Sequence, residues 1–198
     1  MDVETIDGAT QVRSGAATRD RILAAASDLF YGQGIRATSA DRIIELVGIT
    51  KVTFYRHFHS KSDLVVAYLT LQAAAEREWM MSARHEGDAI GSLRALATGI
   101  GSASCTPGFR GCPFINAAAE FSDPEDPVRK TVDAHRQWVR EQFASIASDA
   151  GALDVESVAG QLVILRDGAM VSGYLGDPES VAGPLGAAFA SIISPAAP

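Results

Sequence analysis

Cysteine is scarce in this sequence, with two in 198 residues, Cys105 and Cys112. With so few, and with only four histidines, no ligand spacing of the structural-zinc kind arises, so no metal site is expected. Long apolar runs are missing too, and none approaches the roughly 18 residues needed to span a bilayer. The N-terminus lacks the hydrophobic core of a signal peptide. A cytoplasmic protein with no membrane partner is therefore expected, and in that compartment a pair of thiols ordinarily stays reduced. Continuous β-branched runs are absent while alanine and glycine are frequent, which points to an all-α fold. The chain also holds no Gly-x-Ser-x-Gly elbow, no phosphate-binding glycine loop and no His-Glu-x-x-His pair. No catalytic residue is assigned, no cofactor is expected, and the reading is that this is not an enzyme.

What is present suffices for a sizeable core. The chain is 47% hydrophobic, enough for one large or two small domains. Its net charge of −7 is unevenly spread. Residues 19–61 hold seven Lys and Arg against four acids, whereas residues 62–198 hold nine against seventeen. Because charge is screened within about 8–10 Å at physiological salt, a locally basic segment can attract phosphate despite an acidic remainder.

That basic segment contains the most informative stretch, Thr38 to Lys61. Ala40, Ile43, Ile44 and Val47 fall at i, i+3, i+4 and i+7, one face of a short helix. Gly48 follows where the chain must reverse, and Ile49 tucks under the turn. Thr50 can cap a second helix, in which Phe54 and Phe58 share a face while Lys51, Thr53, Arg56 and His57 lie elsewhere. Two short helices around a glycine turn, the second polar at its start, describe a helix-turn-helix. The second helix of such a unit enters the major groove of DNA and offers its N-terminal residues to base edges.

The run from Thr50 to Leu64 closely resembles the tetracycline-repressor (TetR) family of bacterial transcription regulators. Thr53, Phe54, Tyr55, Phe58, Lys61 and Leu64 match the family pattern, and Leu29-Phe30-Tyr31-Gly32-Gln33-Gly34 is typical of its supporting helix. Ile44 departs from it, since the family often has alanine there. Gly111-Cys112-Pro113-Phe114-Ile115-Asn116 and the residues through Phe121 resemble a segment in a subset of such regulators. The resemblance implies a homodimer on a double-stranded, (pseudo)palindromic DNA operator, most often a repressor, released by a small-molecule effector. On this reading Lys51 and Thr53 meet bases or groove, beside the cap Thr50. Tyr55, His57 and Lys61 anchor phosphates, with Arg56 as a further candidate. Thr38 and Ser39 either meet phosphates or only cap their helix.

The rest of the chain reads as helices. Residues 1–17 lack periodicity and are expected as a disordered tail, with Thr18 capping a first helix buried through Ile22, Leu23, Ala26, Leu29 and Phe30. Residues 18–62 then form the DNA-binding domain and 63–198 a helical domain for effector binding and dimerisation. Ser60 to Asp63 spell a capping box. From there Leu64, Ala67, Tyr68, Leu71 and Ala75 trace one face to about Arg84, a helix long enough to act as a lever between domains. Further helices are expected at about 88–102 and 113–121. Another starts at Asp126-Pro127, with the stripe Val128, Val132, His135, Trp138, Val139, Gln142 and Ile146. The last two span about 155–174 and 178–193, and the family pairs them with their copies in a four-helix dimer interface. Their residues Val158, Gly160, Leu162, Leu165, Gly168, Ala169, Val171 and Gly173, then Leu185, Ala188, Phe189, Ile192 and Ile193, are read as that exposed face. Gly183-Pro184 implies a kink or a helix that begins near Pro184.

An effector pocket would lie after Lys61, with Phe114, Asn116, His135, Trp138 and Arg166 as its candidate ligands to the molecule, and Trp79 and Met170 among its apolar walls. A second possibility is a thiol-based redox sensor in which Cys105 and Cys112 carry the signal.

Overall fold

The computed structural model describes the backbone of residues 4–193. Among them it is helical throughout: α1 (Glu4–Gln33), α2 (Ala40–Val47), α3 (Lys51–His57), α4 (Lys61–Ser82), α5 (Ala89–Ser104), α6 (Pro113–Glu120), α7 (Pro127–Asp149), α8 (Val155–Leu175) and α9 (Ala182–Ile193), with one 3-10 turn at Pro178–Ser180. The chain divides into two compact units, Met1–Thr70 and Leu71–Pro198. The boundary lies inside α4 rather than at 62/63, because Leu64, Val65, Tyr68 and Leu69 are all buried in the first unit. Among the described residues no helix is long and apolar enough to cross a membrane.

In the first unit, α1 contributes Ile22, Ala26, Leu29 and Phe30, and the Phe30 ring meets Tyr68 edge-on at 5.7 Å. The helix starts at Glu4. Residues 4–17 are thus helical rather than a tail, and Thr18 is interior to the helix rather than its cap. No proline interrupts this segment, so nothing in it forces a helix start at Thr18. Residues 1–3 lie outside the described residues. The glycine that ends α1 is Gly34, at φ 98°.

The second unit is built on α5 against α9 and α7 against α8. Leu93, Leu96, Ile100, Val139, Phe143, Ile146, Leu162, Leu185 and Phe189 fill its centre. Helix α7 starts as expected, with the Asp126 carboxylate accepting the Val128 amide at 2.8 Å. Its buried stripe includes Phe143, while Gln142 beside it is half-buried. Pro184 sits in the first turn of α9, where its missing N–H leaves no hydrogen bond broken.

The expected exposed face of α8 and α9 requires correction. Leu162, Ala169, Gly173, Leu185, Phe189 and Ile193 are buried within this chain's own unit. Gly173 is small because α5 approaches it: a Cβ there would lie 2.3 Å from Ser104 Oγ. Among the residues that α8 leaves exposed, Ile164, Gly168, Val171 and Leu175 fall at i, i+4, i+7 and i+11.

Candidate nucleic-acid interface and ligand cavity

The local sequence dictates how α3 is presented. Gly48 ends α2 in the left-handed region (φ 72°, ψ 43°), its amide returning to the carbonyls of Ile44 and Glu45, a turn that any Cβ would strain. Two residues on, the Thr50 hydroxyl accepts the Thr53 amide at 3.1 Å and sets the first turn of α3. Phe54 and Phe58 are then buried, at 0% and 3% exposure, with ring centroids 6.3 Å apart. The Arg19 guanidinium lies over the Phe58 ring at 4.9 Å, and Arg21 donates to the Val47 carbonyl at the end of α2. With that face sealed, the opposite one must look outward.

The outward face carries most of the expected contacts. Thr50, Lys51 and Arg56 are exposed, Thr53 and His57 half-buried. Tyr55 is exposed, with its ring edge-on to Phe54 at 5.2 Å. Ser39 is exposed and caps α2 by accepting the Arg42 amide. Lys61 opens α4, half-buried, and the Ser60–Asp63 capping box closes with both bonds at 3.0 Å. Thr38 is the exception. It is 1% exposed, and its hydroxyl donates to the Gly34 carbonyl at 2.9 Å, so it braces the end of α1 and has no hydroxyl to offer DNA.

Two features of this surface go beyond the residues expected from sequence. Val52 is 79% exposed at the second position of α3. An apolar residue left in water at the start of a recognition helix suits contact with a thymine methyl. Its place between Lys51 and Thr53 is the signal that could have identified it. Asp41 on α2 meets Lys51 Nζ at 2.8 Å, an ion pair with both side chains exposed. The hydrogen bond and charge of Asp41 raise the lysine pKa, so Lys51 stays cationic.

In the second unit, four distant stretches of chain, those of Glu76, Cys112, His135 and Arg166, come together. One carboxylate oxygen accepts from His135 Nε2 at 3.0 Å, the other from Arg166 Nη2. Arg166 also donates to Asp167 at 3.0 Å and to Cys112 Sγ at 3.3 Å, and Arg136 pairs with Asp167 at 2.7 Å. His135 stacks on Phe114, centroids 3.7 Å apart and planes at 13°. Its Nδ1 is buried without a partner. Burial alone would raise the Glu76 pKa, but the His135 hydrogen bond and the Arg166 charge outweigh it and hold the carboxyl below its usual range. Burial would likewise lower the Arg166 pKa, yet the Cys112 sulfur and Glu76 together keep it raised.

This arrangement revises the expected pocket. Phe114, His135 and Arg166 come together, but the space among them and Cys112 is about 10 Å³, at most one water. Trp138 is half-buried beside them, 6.2 Å from His135, with Arg77 over its ring at 5.1 Å. Asn116 is not in the cluster: it is exposed and donates to the Arg110 carbonyl. A ligand-sized cleft of about 360 Å³ lies next to the cluster instead, lined by Gln72, Ala75, Glu76, Trp79, Gly99, Ile100, Ala103, Pro113 and Met170. Among the described residues no group of three His, Cys, Asp or Glu is placed to hold a metal ion.

The chain is similar to known proteins in both units. The family model described as bacterial regulatory proteins, tetR family, matches residues 22–68, and that of a tetracyclin repressor-like C-terminal domain matches residues 89–183. The HTH-type transcriptional regulator TtgR of Pseudomonas putida is 36% identical over 87 residues, covering 40% of this chain and 39% of TtgR. The regulator AcrR of Shigella flexneri is 36% identical over 81 residues, covering 40% and 38%. The chain thus spans about two-fifths of the length of the curated relatives it matches. The crystal structure of a transcriptional regulator from Streptomyces coelicolor is similar over most of both chains, with a TM-score of 0.85 at 38% identity, covering 90% of this chain and 95% of that one.

Proposed function

The chain belongs to the TetR family of bacterial transcriptional regulators, and from that footing we propose that it is a ligand-responsive repressor. It binds a (pseudo)palindromic operator as a homodimer, and a small molecule in its second unit releases it. The observation that carries this reading is the start of α3, where Lys51 and Val52 stand in solvent on a helix anchored by the buried Phe54 and Phe58. Lys51, Val52 and Thr53 address bases; Thr50, Tyr55, Arg56, His57, Lys61 and Ser39 address the backbone around them. The Lys51–Asp41 pair is no obstacle, because an ion pair between exposed side chains contributes little and exchanges readily for phosphate. Two such helices, presented by a symmetric pair of chains, meet successive major grooves roughly 34–36 Å apart.

Selection of bound sequences from random DNA by the purified protein tests the reading. It fails if no sequence is enriched. With the selected operator in hand, Lys51→Ala is expected to weaken binding and to lower the slope of log K against log salt by about one for each phosphate no longer neutralised. Fluorescence anisotropy over a salt series reads this directly.

Dimerisation is assigned to α8 and α9. Ile164, Gly168, Val171 and Leu175 follow the 4-3-4 spacing of a helix seam. Ile164 and Leu175 are 71% and 75% exposed, a state that a second copy would relieve. Placing a charge there with Ile164→Glu is expected to convert a dimer to a monomer in sedimentation experiments while leaving helix content unchanged. An unchanged dimer would move the interface elsewhere. Release requires that the effector favour the conformation that does not bind DNA, and the difference in affinity sets the response. Helix α4 is the means proposed, since it starts in the first unit and ends in the second.

A second reading is favoured by one contact, the Arg166 guanidinium 3.3 Å from Cys112 Sγ. Hydrogen peroxide that reaches the buried Cys112 would transfer one oxygen to it, giving a sulfenic acid and water, and the exposed Cys105 thiol would condense with it, releasing a second water and closing a disulfide. Mass spectrometry after mild peroxide treatment, with operator affinity followed in parallel, separates the two readings. Oxidation that leaves affinity unchanged removes the thiol reading.

A further inference from the structure

We infer that the cleft beside Glu76 takes a neutral aromatic molecule bearing one N–H or O–H donor, with its ring against Trp79 and its donor on the Glu76 carboxylate. The inference rests on the ligand-responsive reading above and adds to it the chemical class of the effector.

The size of the cleft comes first. At about 360 Å³ it falls at the small end of sites for organic ligands, which span roughly 300–1,000 Å³, and suits one or two fused rings. Its walls are apolar, with Trp79, Ile100 and Met170 supplying an indole, a branched alkyl chain and a thioether. Flat rings pack well on indole and thioether surfaces. Gly99 is part of the same device. A Cβ at Gly99 would lie 2.5 Å from Trp79 Cζ2, so the missing side chain is what lets the indole lie close against α5 and leaves the cleft open.

Polarity is set by Glu76, the one charged residue among those lining the cleft. A carboxylate offers about four lone-pair directions. Arg166 and His135 occupy one on each oxygen, so acceptor capacity remains for a donor arriving from the cleft. Gln72 adds a neutral amide to the same lining. The ligand's charge is decided by the cluster behind Glu76. Two carboxylates, Glu76 and Asp167, stand against two guanidiniums, Arg136 and Arg166. His135 adds its Nε2 contact to Glu76, and its buried Nδ1 has no partner. Among the two carboxylates and two guanidiniums the charges balance. An incoming cation would be left in excess, and an anion would face Glu76 directly. Either charge would be desolvated without full compensation. Two other large clefts of this unit, of about 420 and 410 Å³, are lined in part by Arg84 and Glu86 and by Arg94, and neither has the indole wall and the buried acceptor together.

A matched set of probes tests this in the full-length protein by titration calorimetry: indole, 1-methylindole, tryptamine and indole-3-carboxylate. Indole should bind saturably and about tenfold tighter than 1-methylindole, the difference expected from losing one hydrogen bond to a charged acceptor. Tryptamine and indole-3-carboxylate should fall behind indole by a similar factor. The Ala103→Trp variant fills the mouth of the cleft from an exposed helix position and should abolish indole binding while circular dichroism stays unchanged. The inference is overturned if indole does not saturate the protein. It is equally overturned if 1-methylindole or a charged analogue binds as tightly, or if Ala103→Trp binds indole like the parent. Operator affinity with and without indole is measured separately. Indole binding in the expected order with operator affinity unmoved would uphold the chemistry of the cleft and overturn the ligand-responsive reading instead.

Discussion

Truncating Phe54 to alanine is expected to abolish the cooperative unfolding transition of the first unit, and DNA binding with it. The side chain is wholly buried and contacts the Phe58 and Tyr55 rings. Removing a buried phenylalanine typically costs about 3–5 kcal/mol, through the transfer free energy forgone and the cavity left behind. A unit that ends at Thr70 has a total stability of only about 4–10 kcal/mol at ordinary values per residue. The penalty is thus comparable with everything holding α3 in place. Val52, two residues earlier, is the control. Exposed as it is, Val52→Ala should change stability by about 0.5 kcal/mol or less, while still weakening the operator if its methyl groups meet thymine. Thermal melts of both variants, read beside anisotropy on the selected operator, separate presentation of the helix from recognition by it. A Phe54→Ala protein that melts like the parent would show that α3 is not anchored as described.

The second large effect is expected at Glu76. Glu76→Ala leaves Arg166 and His135, 5% and 2% exposed, without their shared acceptor. Breaking a buried charge pair from one side costs about 3–5 kcal/mol when the remaining ion is stranded away from water, and because Asp167 stays on Arg166 at 3.0 Å the loss is expected at the lower end of that range. Removing the cluster together, as Glu76→Leu with His135→Phe and Arg166→Met, should restore most of that stability, since a well-packed apolar replacement strands nothing. Acidification should act in the same direction as the single substitution. The folded-state pKa of Glu76 is depressed, so its contribution is complete above the ordinary value of 4.5 and is lost as the pH falls through the folded value. The gap in stability between parent and Glu76→Ala should therefore be widest at neutral pH and narrow below 4.5. Urea denaturation across that range measures it, and a gap independent of pH would mean the carboxylate is not held in its ionised form by His135 and Arg166.

Much of the first unit is legible without any coordinates. The start of α3 follows from Thr50, its buried face from the Phe54–Phe58 spacing, and the turn from Gly48. Each of these signals acts over a few residues, so each survives without knowledge of neighbours. Where sequence misleads, a partner distant along the chain is responsible. Thr38 looks like a cap free to meet phosphate until the end of α1 takes its hydroxyl. Leu71 reads as part of the stripe on α4, yet it is 47% exposed, and Val65 and Leu69 are buried instead. A periodic pattern places residues on one face of a helix but does not say how far the face is rotated toward its neighbours.

Sequence alone determined that this chain is a string of amphipathic helices with a polar-fronted helical hairpin near its beginning. Periodicity, caps, glycine and proline are short-range, and they are written in order along the chain. Tertiary structure alone decided that Gly173 serves packing against α5 rather than a partner, and that Ile164, Val171 and Leu175 remain in water on α8. It alone brought Glu76 to Arg166 across 90 positions of sequence, setting a buried ion cluster beside an apolar cleft. Such meetings depend on which helix faces pack together, a choice made by the summed fit of many side chains and carried by no single stretch of residues.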